Sequence, residues 1–416
     1  MNLRTETELR TAVERELRET PVTDIHTHLY PPAFGTMLPW GLDDLLVYHY
    51  LVAETFRRVD LPVAEFWAMP KRRQADLVWR TLFIENTPIS ESCRGVLTVL
   101  KRMGLDTASR DLESYRRQYG TLNAAACTDW VLRIANVRTV VMTNDPFDET
   151  ERAIWLERGQ ADPRFKAALR IDALLNGWNE ACPQLRQWGY GAEAGLTPAT
   201  LNEVRRFLAD WAARTSALYL AASFPPDFRM PEGSPRATLI AECVLPVCRA
   251  LGKPFAMMIG VKKQVNPQLQ LAGDGVGRAA VETVEHLCAA FPANKFLVTM
   301  LSRENQHELC VAARKFRNLM IFGCWWFLNT PSLVDEITRM RLELLGTSFV
   351  AQHSDARVLD QLIYKWDHAR AVIGEALCSK YRDVVSTGWT VSEDEIRRDV
   401  AGLLGGTFWE FVGERR

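Results

Sequence analysis

The run Thr23-Asp24-Ile25-His26-Thr27-His28-Leu29 holds two imidazoles two positions apart at the end of a β-branched stretch. Residues two apart on a strand point to the same side, so His26 and His28 share a face and converge. Two such imidazoles suit a borderline divalent cation such as zinc, provided that another segment adds ligands. The same pair also reads as two polar residues at a strand end, hydrogen-bonded to neighbours. A second run, Phe349-Val350-Ala351-Gln352-His353-Ser354-Asp355-Ala356-Arg357, follows another β-branched stretch and offers a carboxylate. Asp355 could ligate a metal, act as a base, or do both. Ser-Asp before a helix is also an ordinary N-terminal signal, but a His-X-His on an adjoining strand favours the chemical reading. His49-Tyr50, Arg170 and Trp325-Trp326 stand where chemistry is possible. Each has a plainer reading, since helical histidines, strand-end arginines and paired tryptophans commonly serve packing or solvated ion pairs. His286, His307, His353 and His368 stand in no motif and read as structural.

These residues need a scaffold that brings them together. Short apolar and β-branched runs recur at residues 22–25, 138–142, 165–171, 217–222, 254–258, 296–299, 319–322 and 347–350. Most are followed by stretches with helical spacing, such as 235–250, 277–290, 303–317 and 332–345. That alternation predicts a parallel α/β sheet, and eight runs favour a closed (β/α)8 TIM-type barrel. An open doubly wound sheet is the alternative, but no GxGxxG follows the first run. In a closed barrel the first and eighth strands are neighbours, so Asp355 can approach His26 and His28. The first and second runs are unusually far apart. The interval holds amphipathic stretches at 42–56, 71–84, 94–103 and 112–119 and no evident strand. It reads as a helical insertion on the first βα loop, where a barrel builds its active site, and therefore as a cap. The expected organisation is a barrel formed by residues 1–29 and 131–416, with the insertion at 30–130. Residues 389–404 read as one further helix.

Composition narrows the function classes. The 416 residues carry 50 Lys+Arg against 51 Asp+Glu, a net charge of −1. Proteins that bind nucleic acid or membrane surfaces rely on a basic excess, so neither partner is expected. The nine cysteines are scattered without a CxxC pair, which predicts reduced thiols rather than a disulfide frame or a thiolate zinc site. The charged N-terminal stretch has no apolar core and does not read as a signal peptide. No window reaches the ~18 apolar residues that span a bilayer. A cytoplasmic protein acting on a small molecule is expected.

In their order and strand placement, several pieces resemble one family. They are Asp24 to Leu29, His49-Tyr50, Leu169-Arg170 with Asp172, Gly323-Cys324-Trp325-Trp326-Phe327, Ser354-Asp355-Ala356-Arg357 and Gly405-Gly406-Thr407-Phe408. Over essentially its whole length the chain resembles the uronate isomerase (glucuronate isomerase) family of the amidohydrolase superfamily. The resemblance implies a (β/α)8 barrel with a helical insertion after strand one, one divalent metal ion, Zn2+ foremost, and a homo-oligomer. It implies a uronate sugar as substrate and interconversion of D-glucuronate with D-fructuronate, or D-galacturonate with D-tagaturonate, through an enediol. It makes His26, His28 and Asp355 metal ligands. Asp355, His49, Tyr50 and Arg357 become catalytic residues, and Arg170, Lys263 and one of Trp325 or Trp326 hold the substrate.

Two departures from the family stand out. After the fifth strand the family commonly has a histidine and then an arginine; here Met258 and Lys263 take those places. Met258 cannot act as a hard-metal ligand, which leaves a mononuclear site, and Lys263 keeps the charge without the planar fork. After the fourth strand, Phe224 stands where the family has an acidic residue, with Asp227 a few positions on. The alternatives are another mononuclear hydrolase or decarboxylase of that superfamily, or an inactive uronate-binding homologue. The stretch between His49 and His286 contains no histidine, which disfavours a binuclear hydrolase.

Overall fold

The apolar runs become strands of one parallel sheet in the computed structural model, which describes residues 2–3 and 5–414. The strands are β1 (Val22–Thr27), β2 (Val137–Asn144), β3 (Phe165–Arg170), β4 (Leu220–Phe224), β5 (Phe255–Ile259), β6 (Phe296–Met300) and β7 (Leu319–Ile321). Each pairs in parallel with the next, so the order in space is the order in sequence. The eighth run does not make a full strand. It forms a single parallel bridge, Val350 to Phe322, because the chain turns away at once to present residues 352–357. The sheet still closes. His28 N donates to Ala356 O at 2.8 Å, and Asp355 N donates to His26 O at 3.2 Å. The result is an α/β barrel of the TIM type whose last seam lies beside the two runs singled out above.

The barrel interior is filled by side chains that include Ile25, Val141, Ala168, Tyr219, Ala256 and Leu297. The Tyr219 hydroxyl crosses this core and donates to Ile25 O at 2.6 Å. Phe408 and Trp409, from the helix Thr407–Val412, join the same cluster, and Trp409 Nε1 donates to Thr23 Oγ1 at 2.9 Å. Gly405 makes this approach possible. Its φ is +120°, and a Cβ there would lie 2.7 Å from Thr23 Cβ. The Gly-Gly-Thr-Phe segment therefore closes the barrel against β1 for a steric reason.

The interval between β1 and β2 carries the helices Leu42–Leu46, His49–Thr55, Val63–Ala68, Lys71–Trp79, Glu91–Arg102, Leu112–Tyr119 and Ala124–Ala135, and no strand among the described residues. The stretch 42–56 is two helices rather than one. Tyr48 takes an extended conformation (φ −62°, ψ 139°) and His49 begins the second helix. The buried Asp360 carboxylate ties this region to the barrel, accepting from Gly41 N at 2.7 Å and from the Tyr119 hydroxyl at 3.0 Å. It directly precedes the 26-residue helix Gln361–Ser386, which packs on Glu6–Glu19, Glu91–Arg102, Ala124–Ala135 and Pro331–Leu345. The helix expected at 389–404 needs correction. Val391–Ser392 pairs antiparallel with Asn2–Leu3, and the helix begins at Glu393. The start is set by a capping box in which Ser392 and Glu395 satisfy each other's backbone N–H groups. No helix among the described residues is long and apolar enough to cross a membrane, and all nine cysteines are buried and free.

Candidate active site

Ile25 faces the barrel interior, so strict alternation along β1 would turn His26 away from it. A register shift against β2 between Asp24 and Thr27 breaks that alternation. Irregularities of this kind re-aim side chains at barrel rims, and His26 and His28 both reach the cavity at the mouth. Asp355 comes to meet them in a left-handed conformation, φ +51°, which Asp tolerates better than most residues. Its Oδ1 lies 3.5 Å from His26 Nε2 and 3.3 Å from His28 Nε2. Candidate ligand atoms of the three residues all lie within 4.8 Å of one another.

The donor set fits a divalent ion on its own chemistry. Asp355 Oδ1 is buried and has no hydrogen-bond partner, which would be costly unless something else neutralised it. Burial pushes the Asp355 carboxyl up, but the two imidazoles and Arg357 outweigh it and hold the group well below the ordinary carboxylate range. Burial, and then the nearby Arg357 charge, press His28 down to about 3. The site therefore offers a carboxylate and a neutral imidazole, the forms in which these groups bind a metal.

Asp24 holds this arrangement in place. Its buried carboxylate accepts from Ser354 N at 3.1 Å and from Trp366 Nε1 at 2.8 Å, fixing the backbone beside Asp355 to β1. His353, read as structural from sequence, stacks edge-to-face on His26 at 5.4 Å between ring centroids. It is buried, and neither of its ring nitrogens has a hydrogen-bond partner. Gly323 leaves room for it: with φ +62°, a Cβ at that position would lie 1.7 Å from His353 Nδ1. No sequence pattern marked it, since residues 351–356 lie outside any regular strand and Asp355 is left-handed.

A cavity of about 570 Å³ opens beside the triad. His26, His28, Arg170, Lys263, Trp325, Trp326 and Arg357 all line it. His49 and Tyr50 do not. They are half-buried in a layer beside Trp326, the His49 ring 5.4 Å from the Trp326 ring, and neither His49 Nε2 nor the Tyr50 hydroxyl has a hydrogen-bond partner. Burial keeps His49 neutral and Tyr50 protonated. Two residues of this layer went unnoticed in the sequence. The Tyr48 hydroxyl is also buried without a partner. Lys365 Nζ lies 5.9 Å from the Tyr50 ring, and burial lowers its ammonium to about 8.

The loops after β3 and β4 build another polar wall. Arg170 Nε and Nη2 donate to Asp172 Oδ2 at 2.8 and 2.5 Å. Asp172 Oδ1 accepts from Ser223 N at 2.7 Å, Asn176 Nδ2 donates to Ser223 O at 2.9 Å, and Arg236 Nη1 donates to Asn176 Oδ1 at 3.3 Å. Of these, only Arg170 was singled out as a site residue from sequence. Lys263 reaches the cavity rim with its ammonium on Asp274 Oδ2 at 2.8 Å. Met258 and Phe224 line the cavity. Phe224 stacks on Phe228 at 4.0 Å, while Asp227 is exposed to solvent.

Solved structures resemble this chain closely. It is similar to a uronate isomerase from Bacillus halodurans with a TM-score of 0.98 and 54% sequence identity, over 99% of this chain and 98% of that one. A glucuronate isomerase from Caulobacter crescentus matches at TM-score 0.77 and 17% identity, over 99% of this chain and 95% of that one. A uronate isomerase from Thermotoga maritima matches at 0.75 and 14%, over 95% of each chain. Those last two likenesses concern the fold alone. No protein-family model and no curated protein matches the chain.

Proposed function

The chain belongs to the uronate isomerase family, and from that premise we propose that it interconverts aldohexuronates and ketohexuronates by proton transfer through an enediol. The pairs are D-glucuronate with D-fructuronate, or D-galacturonate with D-tagaturonate. The observation that carries the reading is the convergence of His26, His28 and Asp355 on one buried point beside a cation-lined cavity.

His26, His28 and Asp355 would hold one divalent ion, and the two imidazoles with a single carboxylate favour Zn2+. Such an ion supplies Lewis-acid polarisation of substrate oxygens when bound. The remaining chemistry belongs to the side chains. Asp355 removes the C2 proton of the aldose; the C–H pair becomes the C1–C2 double bond while the C1=O π pair moves to O1, which takes up the proton that O2 gives up, and as a lone pair of O2 forms the C2=O bond the same carboxyl returns its proton to C1. Tyr50, kept protonated by burial, stands beside the cavity lining against Phe327 and His49, from where its hydroxyl would have to turn inward to donate to the oxygen that gains charge. Arg357, which lines the cavity, stabilises the enediolate, with His49 assisting from beside Trp326, and one such donor is commonly worth about 3–4 kcal/mol. Trp325 or Trp326 forms the flat apolar wall on which the sugar packs. Nine buried free thiols agree with a reducing, cytoplasmic setting in sugar-acid metabolism, and the family resemblance implies a homo-oligomer.

The test is isotopic. Turnover of D-glucuronate or D-galacturonate in heavy water should carry solvent deuterium into the product, read by proton NMR. Full retention of the C2 hydrogen would indicate hydride transfer, and absence of turnover on both uronates would overturn the reading.

A further inference from the structure

We infer that a second cavity, in the outer helical layer, binds a phosphate group, free or as a monoester, through Arg152 and Arg214. It shares no lining residue with the cavity at the barrel mouth, and the inference does not rest on the isomerase reading. The cavity holds about 750 Å³ between the helix Glu149–Glu157, the helix Pro198–Thr215 and Trp188, which ends the helix Trp178–Gln187.

The helix Glu149–Glu157 turns Glu151 inward, where Trp155 Nε1 donates to it at 3.1 Å, and Arg152 faces the cavity. The Arg152 guanidinium carbon lies 4.1 Å from the Trp188 ring centroid and 5.9 Å from that of Trp211. Among the described residues no hydrogen bond or ion pair engages this side chain, and its Nε is buried without a partner. Indole faces support a cation but do not satisfy its N–H donors. A guanidinium cannot shed its proton to escape that cost. Arg214 brings a like charge to the same cavity, its carbon 5.8 Å from the Trp211 centroid, and it donates only to Trp155 O at 3.5 Å. Arg158 adds a third cation at the rim and donates to Ala33 O at 2.8 Å. Two carboxylates also line the cavity. Asp210 accepts from the Tyr190 hydroxyl at 3.1 Å, Glu157 is exposed to solvent, and neither pairs with Arg152 or Arg214. Burial and the neighbouring Arg214 both press against the Arg152 charge. One doubly charged anion answers two such cations better than a single carboxylate does, and a tetrahedral phosphate offers oxygens to two planar forks at once. The volume exceeds that of a bare phosphate. Leu156, 46% exposed on the same wall, provides an apolar surface for the organic part of a monoester.

The experiment titrates the full chain, purified with its metal, with inorganic phosphate, phenyl phosphate and acetate at pH 8 and constant ionic strength. Calorimetry reads binding to wild type, Arg152→Gln, Arg152→Lys and Arg214→Gln. Phosphate should bind wild type more tightly than acetate by about tenfold or more, the effect of one further charge at close range. Arg152→Gln and Arg214→Gln should each weaken phosphate binding about 10–100-fold, the range for one charged hydrogen-bonded contact. Arg152→Lys should recover part of the loss. Tighter binding of phenyl phosphate than of phosphate would name the monoester as the source, and equal binding would name the free ion. Hydrogen exchange in wild type should slow at residues 149–158 and 210–214 when phosphate is added, which tests the site even where a variant fails to fold. Phosphate binding that is absent, no tighter than acetate, or unchanged in a folded Arg152→Gln protein would overturn the site. Exchange at those residues that is already slow without phosphate and quickens on dilution would overturn it too, because a second copy of the chain would then cover this face.

Discussion

Glu151 shows how far burial governs individual side chains around this site. Four donors converge on its carboxylate: Asn144 Nδ2 at 2.6 Å, Asp145 N at 2.9 Å, the Tyr30 hydroxyl at 2.9 Å and Trp155 Nε1 at 3.1 Å. Burial still pushes the group up to about 7 against all of them. A carboxyl raised in the folded state binds an extra proton there, between its ordinary value and pH 7. Its stabilising contribution is therefore present at low pH and lost as pH rises through that window. The stability difference between wild type and Glu151→Gln should shrink from pH 5 to pH 7.5 by about 2 kcal/mol, measured by urea unfolding at each pH. A difference that stays flat would mean the donors, not burial, set the group. Legibility differed sharply at this scale. His26, His28 and Asp355 could be read from residue type and from the adjacency of first and last strands. His353 could not, because the backbone that turns it onto His26 is irregular.

Elements aim the chemistry as much as the residues do. Asp24 is the pin between β1 and the turn carrying Asp355. Replacing it with alanine leaves Ser354 N and Trp366 Nε1 buried without their acceptor, at roughly 1–3 kcal/mol for each. Asp24→Ala should therefore lower stability and bring the purified protein below one metal ion per chain by elemental analysis. Full metal content with lowered stability would restrict Asp24 to a folding role. The strands and most helices were legible because hydrophobic period and capping residues act locally; Leu112–Tyr119 is such a case. The misreadings arose where a tertiary demand overrides the local pattern. The stretch 42–56 breaks at Tyr48, residues 391–392 pair with the N-terminal strand, and the eighth run leaves the sheet after one bridge. The register shift that turns His26 toward the cavity likewise had no sequence signature.

At the scale of the molecule, the barrel is closed by the same residues that form its candidate site. The backbone seam at His28–Ala356 and Asp355–His26 lies directly beside the three candidate ligands. An ion bound at that seam stabilises by mass action, about 4 kcal/mol when free metal is a thousandfold above its dissociation constant. Chelation should lower stability and speed amide hydrogen exchange at residues 26–28 and 353–357, with β3 to β6 little changed. Uniform acceleration throughout the barrel would contradict a local seam. The same closure has a consequence in time. Asp24 and Ser354 are 330 positions apart, and at roughly 5–20 residues per second of synthesis β1 leaves the ribosome about 15–65 s before its partner exists. Throughout that interval the two histidines wait without their carboxylate. Loading of the proposed ion would then be among the last events of biogenesis, and a nascent chain halted before residue 355 would lack the only carboxylate of its candidate ligand set, however well its early strands have formed.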